Sequence, residues 1–123
     1  MNDDTPLFRQ VMPEWNHCGR ISSQTFRPKK GEYLSTYDGS IMTAEESYLH
    51  FTKDPRKRST GVASISVSQF KAEGLEIIED REPYDAHISV SYEMFGTSAK
   101  EKISARLAKI ANDRGFVYVP SES

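Results

Sequence analysis

Cysteine is almost missing from this chain. Cys18 stands alone among 123 residues, so no disulfide can form within it. Long apolar runs are missing too: none approaches the roughly 20 residues needed to span a bilayer, and mean hydropathy is -0.63. There is no excess of positive charge. Sixteen Lys and Arg against 18 Asp and Glu leave a net charge of -2, which argues against a strongly basic nucleic-acid binder. The acidic start Met1-Asn2-Asp3-Asp4 has no apolar segment behind it and does not read as a signal peptide. Together with the unpaired thiol, expected to be small and buried or half-buried, this predicts a cytoplasmic setting. The chain contains no Walker loop, G-x-G-x-x-G, H-E-x-x-H or G-x-S-x-G. Its His and Cys residues are scattered without metal-ligand spacing, so neither metal nor cofactor is expected.

What is present is a well-punctuated globular pattern. Six Phe, six Tyr and one Trp separate the chain from disordered sequences. Its length fits one domain, residues 1–123, with 1–5 and 120–123 as tails. Strands are predicted at Leu7–Met12, Arg20–Phe26, Glu32–Tyr37, Gly61–Val67, Leu75–Glu79, His87–Tyr92 and Phe116–Val119. Pro13 suggests that Leu7–Met12 is an edge strand, open to pairing in a homodimer. Thr43-Ala44-Glu45-Glu46 has the capping-box spacing and starts a helix to about Phe51. A second box at Ser98-Ala99-Lys100-Glu101 starts a helix to Arg114, with Ile103, Leu107 and Ile110 on one stripe. Ser68 reads as the cap of a short helix stopped by Gly74. The fold class is α+β: a curved, largely antiparallel or mixed sheet, a long C-terminal amphipathic helix and one or two shorter ones.

Several residues are candidates for chemistry. Arg20, Ser22, Ser23 and Gln24 crowd one predicted strand with donors; they line a cleft for an anionic ligand or face water. His87 shares a strand face with Ser89 and Ser91. It is a general base, a substrate contact or a hydrogen-bonded structural residue, and His50 has the same alternatives. Lys53, Arg56, Lys57 and Arg58 form a basic loop able to touch phosphates or simply to be solvated. The residues from Glu73 to Asp85 carry the opposite charge. If the two stretches lie on different faces, the molecule is a dipole that steers a charged partner.

Four blocks, Leu7-Phe8-Arg9-Gln10-Val11, Gly19-Arg20-Ile21-Ser22-Ser23-Gln24-Thr25-Phe26, Leu34-Ser35-Thr36-Tyr37-Asp38-Gly39 and Asp85-Ala86-His87-Ile88, resemble a group of small bacterial proteins of unknown function. More distantly, Arg20 with Leu34-Ser35-Thr36 is similar to the arginine and serine-rich strand of the ADP-ribosyltransferase-like fold. That resemblance implies nicotinamide-nucleotide binding and a later strand glutamate, which would fall within Leu75–Glu79.

Three functions compete. One is a small cytoplasmic protein-interaction module, of the accessory or immunity type, whose partner is another protein. One is a nucleotide-binding or NAD-consuming enzyme, with Arg20, Ser22, Ser35, Tyr37 and His87 around a polar cleft. There Arg20 holds a phosphate or carboxylate and His87 orients or deprotonates a hydroxyl. The third is RNA binding through Lys53–Arg58 and Lys29-Lys30.

Overall fold

The computed structural model of the protein describes residues 1–28 and 32–121. Alternation along the strands decides how it is layered. In β1 (Pro6–Val11), Leu7 and Val11 are buried on one face of the sheet, and Phe8 and Gln10 are buried on the other. The chain then forms a 3-10 turn at Pro13–Trp15 and a small hairpin, β2 (Asn16–His17) with β3 (Arg20–Ile21). A second 3-10 turn follows at Ser23–Phe26. Next come β4 (Tyr33–Asp38), α1 (Ala44–Thr52), β5 (Gly61–Ser66) and α2 (Val67–Ala72). The last elements are β6 (Glu76–Ile78), β7 (His87–Ser91) and α3 (Thr97–Arg114).

Five strands form one sheet in the order β5-β1-β4-β7-β6, and every neighbouring pair is antiparallel. This is an α+β domain with one long C-terminal helix. One face carries the larger core. Leu7, Val11, Ile88, Val90 and Tyr92 pack there with Phe70 of α2 and with Ile103, Leu107 and Ala111 of α3. Phe26 is fully buried in that core, and its carbonyl accepts from Tyr92 Oη at 2.5 Å and Ser104 Oγ at 3.2 Å. The other face is covered by α1, where Phe8, Tyr37, Val62 and Ala86 form a second, smaller cluster. No described helix is long and apolar enough to cross a membrane.

The Thr43 capping box is present in full: Thr43 Oγ1 accepts the Glu46 N–H at 3.1 Å, and Glu46 Oε1 accepts the Thr43 N–H at 2.9 Å. Other expectations need correction. Arg20–Phe26 is no continuous strand, because the Ser22 hydroxyl accepts the Gln24 N–H and turns the chain. The first strand is no sheet edge: β1 lies between β5 and β4, so it offers no free side to a second copy. Ser66, not Ser68, caps α2, in a box completed by Gln69. Ser98 caps nothing. The Lys100 N–H already bonds the Gly96 carbonyl, which puts Ser98 inside the first turn of α3. Phe116–Val119 contributes only a single bridge, Val62 to Tyr118. Cys18 is exposed in the β2–β3 turn, where it and Gly19 both take positive φ.

A buried carboxylate closes the β4 end. Asp38 has no exposed side-chain surface and accepts from the Ser40 N–H at 2.8 Å, Ser40 Oγ at 2.6 Å and Arg81 Nη1 at 2.7 Å. Burial opposes its charge, but the hydrogen bonds from Ser40 and Arg81 prevail and hold its pKa below the ordinary carboxylate value. A depressed folded-state pKa adds stability above the unfolded value near 3.8 and loses it as pH falls through the folded value. Asp38→Ala should therefore cost about 2–4 kcal/mol in urea unfolding at pH 7, since it removes the buried acceptor shared by Ser40 and Arg81 and leaves Arg81 only its outer partner Glu79 and the Asp85 carbonyl. The gap between wild type and Asp38→Asn should narrow as the pH is lowered below about 4.

Candidate ligand-binding cleft

The site begins where two central strands part. Pairing of β1 with β4 covers only Leu7 with Asp38 and Phe8 with Tyr37. The same register would next set Arg9 opposite Thr36 and Gln10 opposite Ser35. Instead, the Ser35 carbonyl accepts from Arg9 Nη1 at 3.2 Å, and Arg9 Nε donates to the Thr25 carbonyl at 2.7 Å. Arg9 leaves the backbone on the Leu7/Val11 face, with its guanidinium 5.4 Å from the Trp15 ring centroid. It also lines the cleft on the opposite face, so the guanidinium fills the gap between the strands. Burial lowers its pKa to about 10, which leaves it cationic at neutral pH.

Gln10 fixes the roof over this gap. It is buried, donates from Nε2 to Ser47 Oγ of α1 at 3.0 Å, and accepts from Ser59 Oγ at 2.8 Å. One side chain thus ties α1 and the basic loop to β1. The result is a cavity of about 500 Å³ between the sheet, α1, the loop after it and the segment before β7. Its floor holds Ser35, Tyr37 and His87. Phe51 and His50 come from α1, Lys53 and Lys57 from the loop, and Tyr84 from the far side.

The rings pack together. Tyr84 stacks on Tyr37 at 5.3 Å between centroids, and His50 lies 4.4 Å from Tyr84. Tyr37 Oη and His50 Nδ1 are hydrogen-bonded at 3.0 Å. Burial raises the pKa of both tyrosines, so they remain neutral hydrogen-bonding groups at pH 7. A polar line crosses the floor. Asp80 Oδ1 lies 2.8 Å from His87 Nδ1, and His87 Nε2 lies 3.2 Å from Ser35 Oγ. Asp80 Oδ2 also accepts from Ser89 Oγ at 2.6 Å. Burial works against the Asp80 charge, yet the bonds from Ser89 and His87 hold its pKa below the usual value.

Among the candidate residues, Ser35, Tyr37, His50, Lys53, Lys57 and His87 converge on this cleft. Arg20, Ser22 and Ser23 do not. They line a separate depression against α3, beside Lys109 and Asn112, because the β2–β3 hairpin packs on the other face of the sheet. A cleft uniting Arg20 with Ser35 and His87 is therefore not formed. Of the two glutamates within Leu75–Glu79, Glu76 lines a third depression near Met94 and Glu79 pairs with Arg81. The arginine, serine and glutamate of the ADP-ribosyltransferase-like resemblance are thus not assembled. Gln24 is exposed on its 3-10 turn. Arg56 folds back on Asp54 at 3.0 Å, and its hydrogen bonds lower the Asp54 pKa to about 2. Arg58 is exposed. Lys29 and Lys30 lie outside the described residues. None of the described ion pairs joins the basic loop to the acidic stretch, whose Glu73, Asp80 and Arg81 bind Arg106, His87 and Asp38 respectively.

Sequence reasoning missed Arg9, Gln10, Asp80 and Tyr84. The signal for Arg9 was its position between Leu7 and Val11 on an apolar strand face, where a charge needs an internal partner. Asp80 was hidden in an acidic run that reads as solvated surface.

The fold and cleft together define an α+β domain with a polar, ring-lined cavity on one face of its sheet. A scan against protein-family models finds no match, and searches of curated proteins and of solved structures find none either. Among the described residues, no group of three or more His, Cys, Asp or Glu side chains is placed to hold a metal ion.

Gln10→Ala should detach the roof more than it unfolds the protein. The expected cost is about 1–3 kcal/mol, from Ser47 and Ser59 losing a common buried partner. Hydrogen exchange should accelerate in α1 and leave α3 near its wild-type protection.

Proposed function

We propose that this protein is a small ligand-binding domain whose cleft takes an anionic, ring-bearing ligand of the nucleotide class. The observation that carries this reading is the convergence of Arg9, Lys53 and Lys57 with Tyr84 and Phe51 on one open cavity. Cations supply anchors for phosphate, and aromatic faces supply a stacking platform. Asp54, the carboxylate beside the lysines, is already engaged by Arg56. A volume near 500 Å³ lies within the range of small-molecule sites. Titration calorimetry with ADP tests the reading. Saturable one-to-one binding is expected, weakened about tenfold by Lys53→Ala with Lys57→Ala and unchanged by Arg20→Ala. Absence of binding, or an equal loss in Arg20→Ala, overturns it.

A protein-docking module is the second reading. It is supported by Met94, 89% exposed, close to β6, the last strand of the sheet. Affinity purification should then recover a stoichiometric partner that Met94→Asp loses. No such partner would count against it.

A further inference from the structure

The floor of the cleft contains more than binding groups. Asp80 is a carboxylate, which can only accept, so its 2.8 Å contact requires the proton on His87 Nδ1. That choice of tautomer leaves the His87 Nε2 lone pair facing Ser35 Oγ at 3.2 Å. His87 is buried and held from both sides, and Ser89 Oγ fixes the second oxygen of Asp80 at 2.6 Å. Ser35 is exposed to the cavity. The elements explain why the three meet. β4 and β7 pair with Tyr37 opposite His87 and Ser35 opposite Ser89, which sets Ser35 diagonal to His87 on one face. Asp80 arrives from the connection after β6.

We infer that Ser35 is a nucleophile, with His87 as its general base and Asp80 as the positioning residue, acting on carboxylic esters that carry a phosphate or carboxylate. The assignment rests on the reading of the cleft as an anion-binding pocket, since Lys53 and Lys57 would hold the charged part of the ester. In the first half-reaction, Ser35 Oγ bonds to the ester carbonyl carbon and its proton passes to His87 Nε2. The carbon–oxygen bond to the alcohol breaks, and the alcohol leaves with the proton returned by His87. In the second, a water gives a proton to His87 Nε2 and attacks the acyl carbon. The carboxylic acid departs as Ser35 regains its proton. Arg9, which bonds the Ser35 carbonyl and faces the cavity, places positive charge beside the developing oxyanion.

The test is fluorophosphonate labelling read by peptide mass spectrometry, alongside hydrolysis of mono-4-nitrophenyl succinate by the full chain. Label is expected on Ser35 and absent in Ser35→Ala, an exposed substitution whose melting temperature should match wild type. Hydrolysis should fall about 10²-fold or more in Ser35→Ala and His87→Gln. Asp80→Asn should lower kcat with little change in KM, and Arg20→Ala should change nothing. No label on Ser35, or hydrolysis that persists in Ser35→Ala, overturns the inference. ADP binding separates the two readings. If ADP binds but Ser35 is neither labelled nor needed for hydrolysis, the nucleophile assignment alone fails. If Ser35 is labelled and hydrolysis depends on it while ADP does not bind, the assignment stands and the nucleotide-class reading fails.

Discussion

Arg9 stands where β1 and β4 stop pairing, and its guanidinium occupies the carbonyl of Ser35 that a further ladder bond would use. A charged group in that position has to be satisfied from within, because a lone buried cation is costly. The Thr25 and Ser35 carbonyls and the Trp15 ring meet that need. The same contacts hold the 3-10 turn at Ser23–Phe26 against one face of the sheet and open a gap on the other. One arginine therefore links the larger core to the cleft.

The two faces of the sheet have different duties. One is filled by α2, α3 and the buried Phe26, whose carbonyl is bonded by both Tyr92 and Ser104. It is a packed interior that makes the strands rigid. The other face has one short helix, which packs on the smaller apolar cluster through Ala44, Tyr48 and Phe51 and is tied to β1 by the hydrogen bonds of Gln10. That smaller cluster leaves the cleft unfilled beside it. On this side the rigid strands carry Ser35, Tyr37 and His87, and side chains on such a support keep their relative geometry.

The neighbours Asp80 and Arg81 show how local charge misleads. Within the acidic run from Glu73 to Asp85, Asp80 turns inward to His87 and Arg81 turns to the buried Asp38. Neither orientation follows from composition. The basic loop divides in the same way: Lys53 and Lys57 face the cleft, while Arg56 neutralises its neighbour Asp54.

Much of the fold could be read from periodicity. The alternation in Gly61–Val67 and His87–Tyr92, the stripe Ile103-Leu107-Ile110 and the Thr43–Glu46 box are local signals, and each became the element expected. Local signals failed where a serine had several choices: Ser22 made a turn, and Ser66 took the cap expected of Ser68. Of the candidate site, Ser35, Tyr37, His50 and His87 were visible as polar or aromatic residues at regular positions, but Arg20 was grouped with them wrongly. The sequence by itself determined which residues alternate and therefore which share a strand face or helix stripe. Only the tertiary structure decided which strands are neighbours. Ser35 and His87 are 52 residues apart and meet solely because β4 pairs with β7, a choice made by burial of both strands in one sheet rather than by anything local to either.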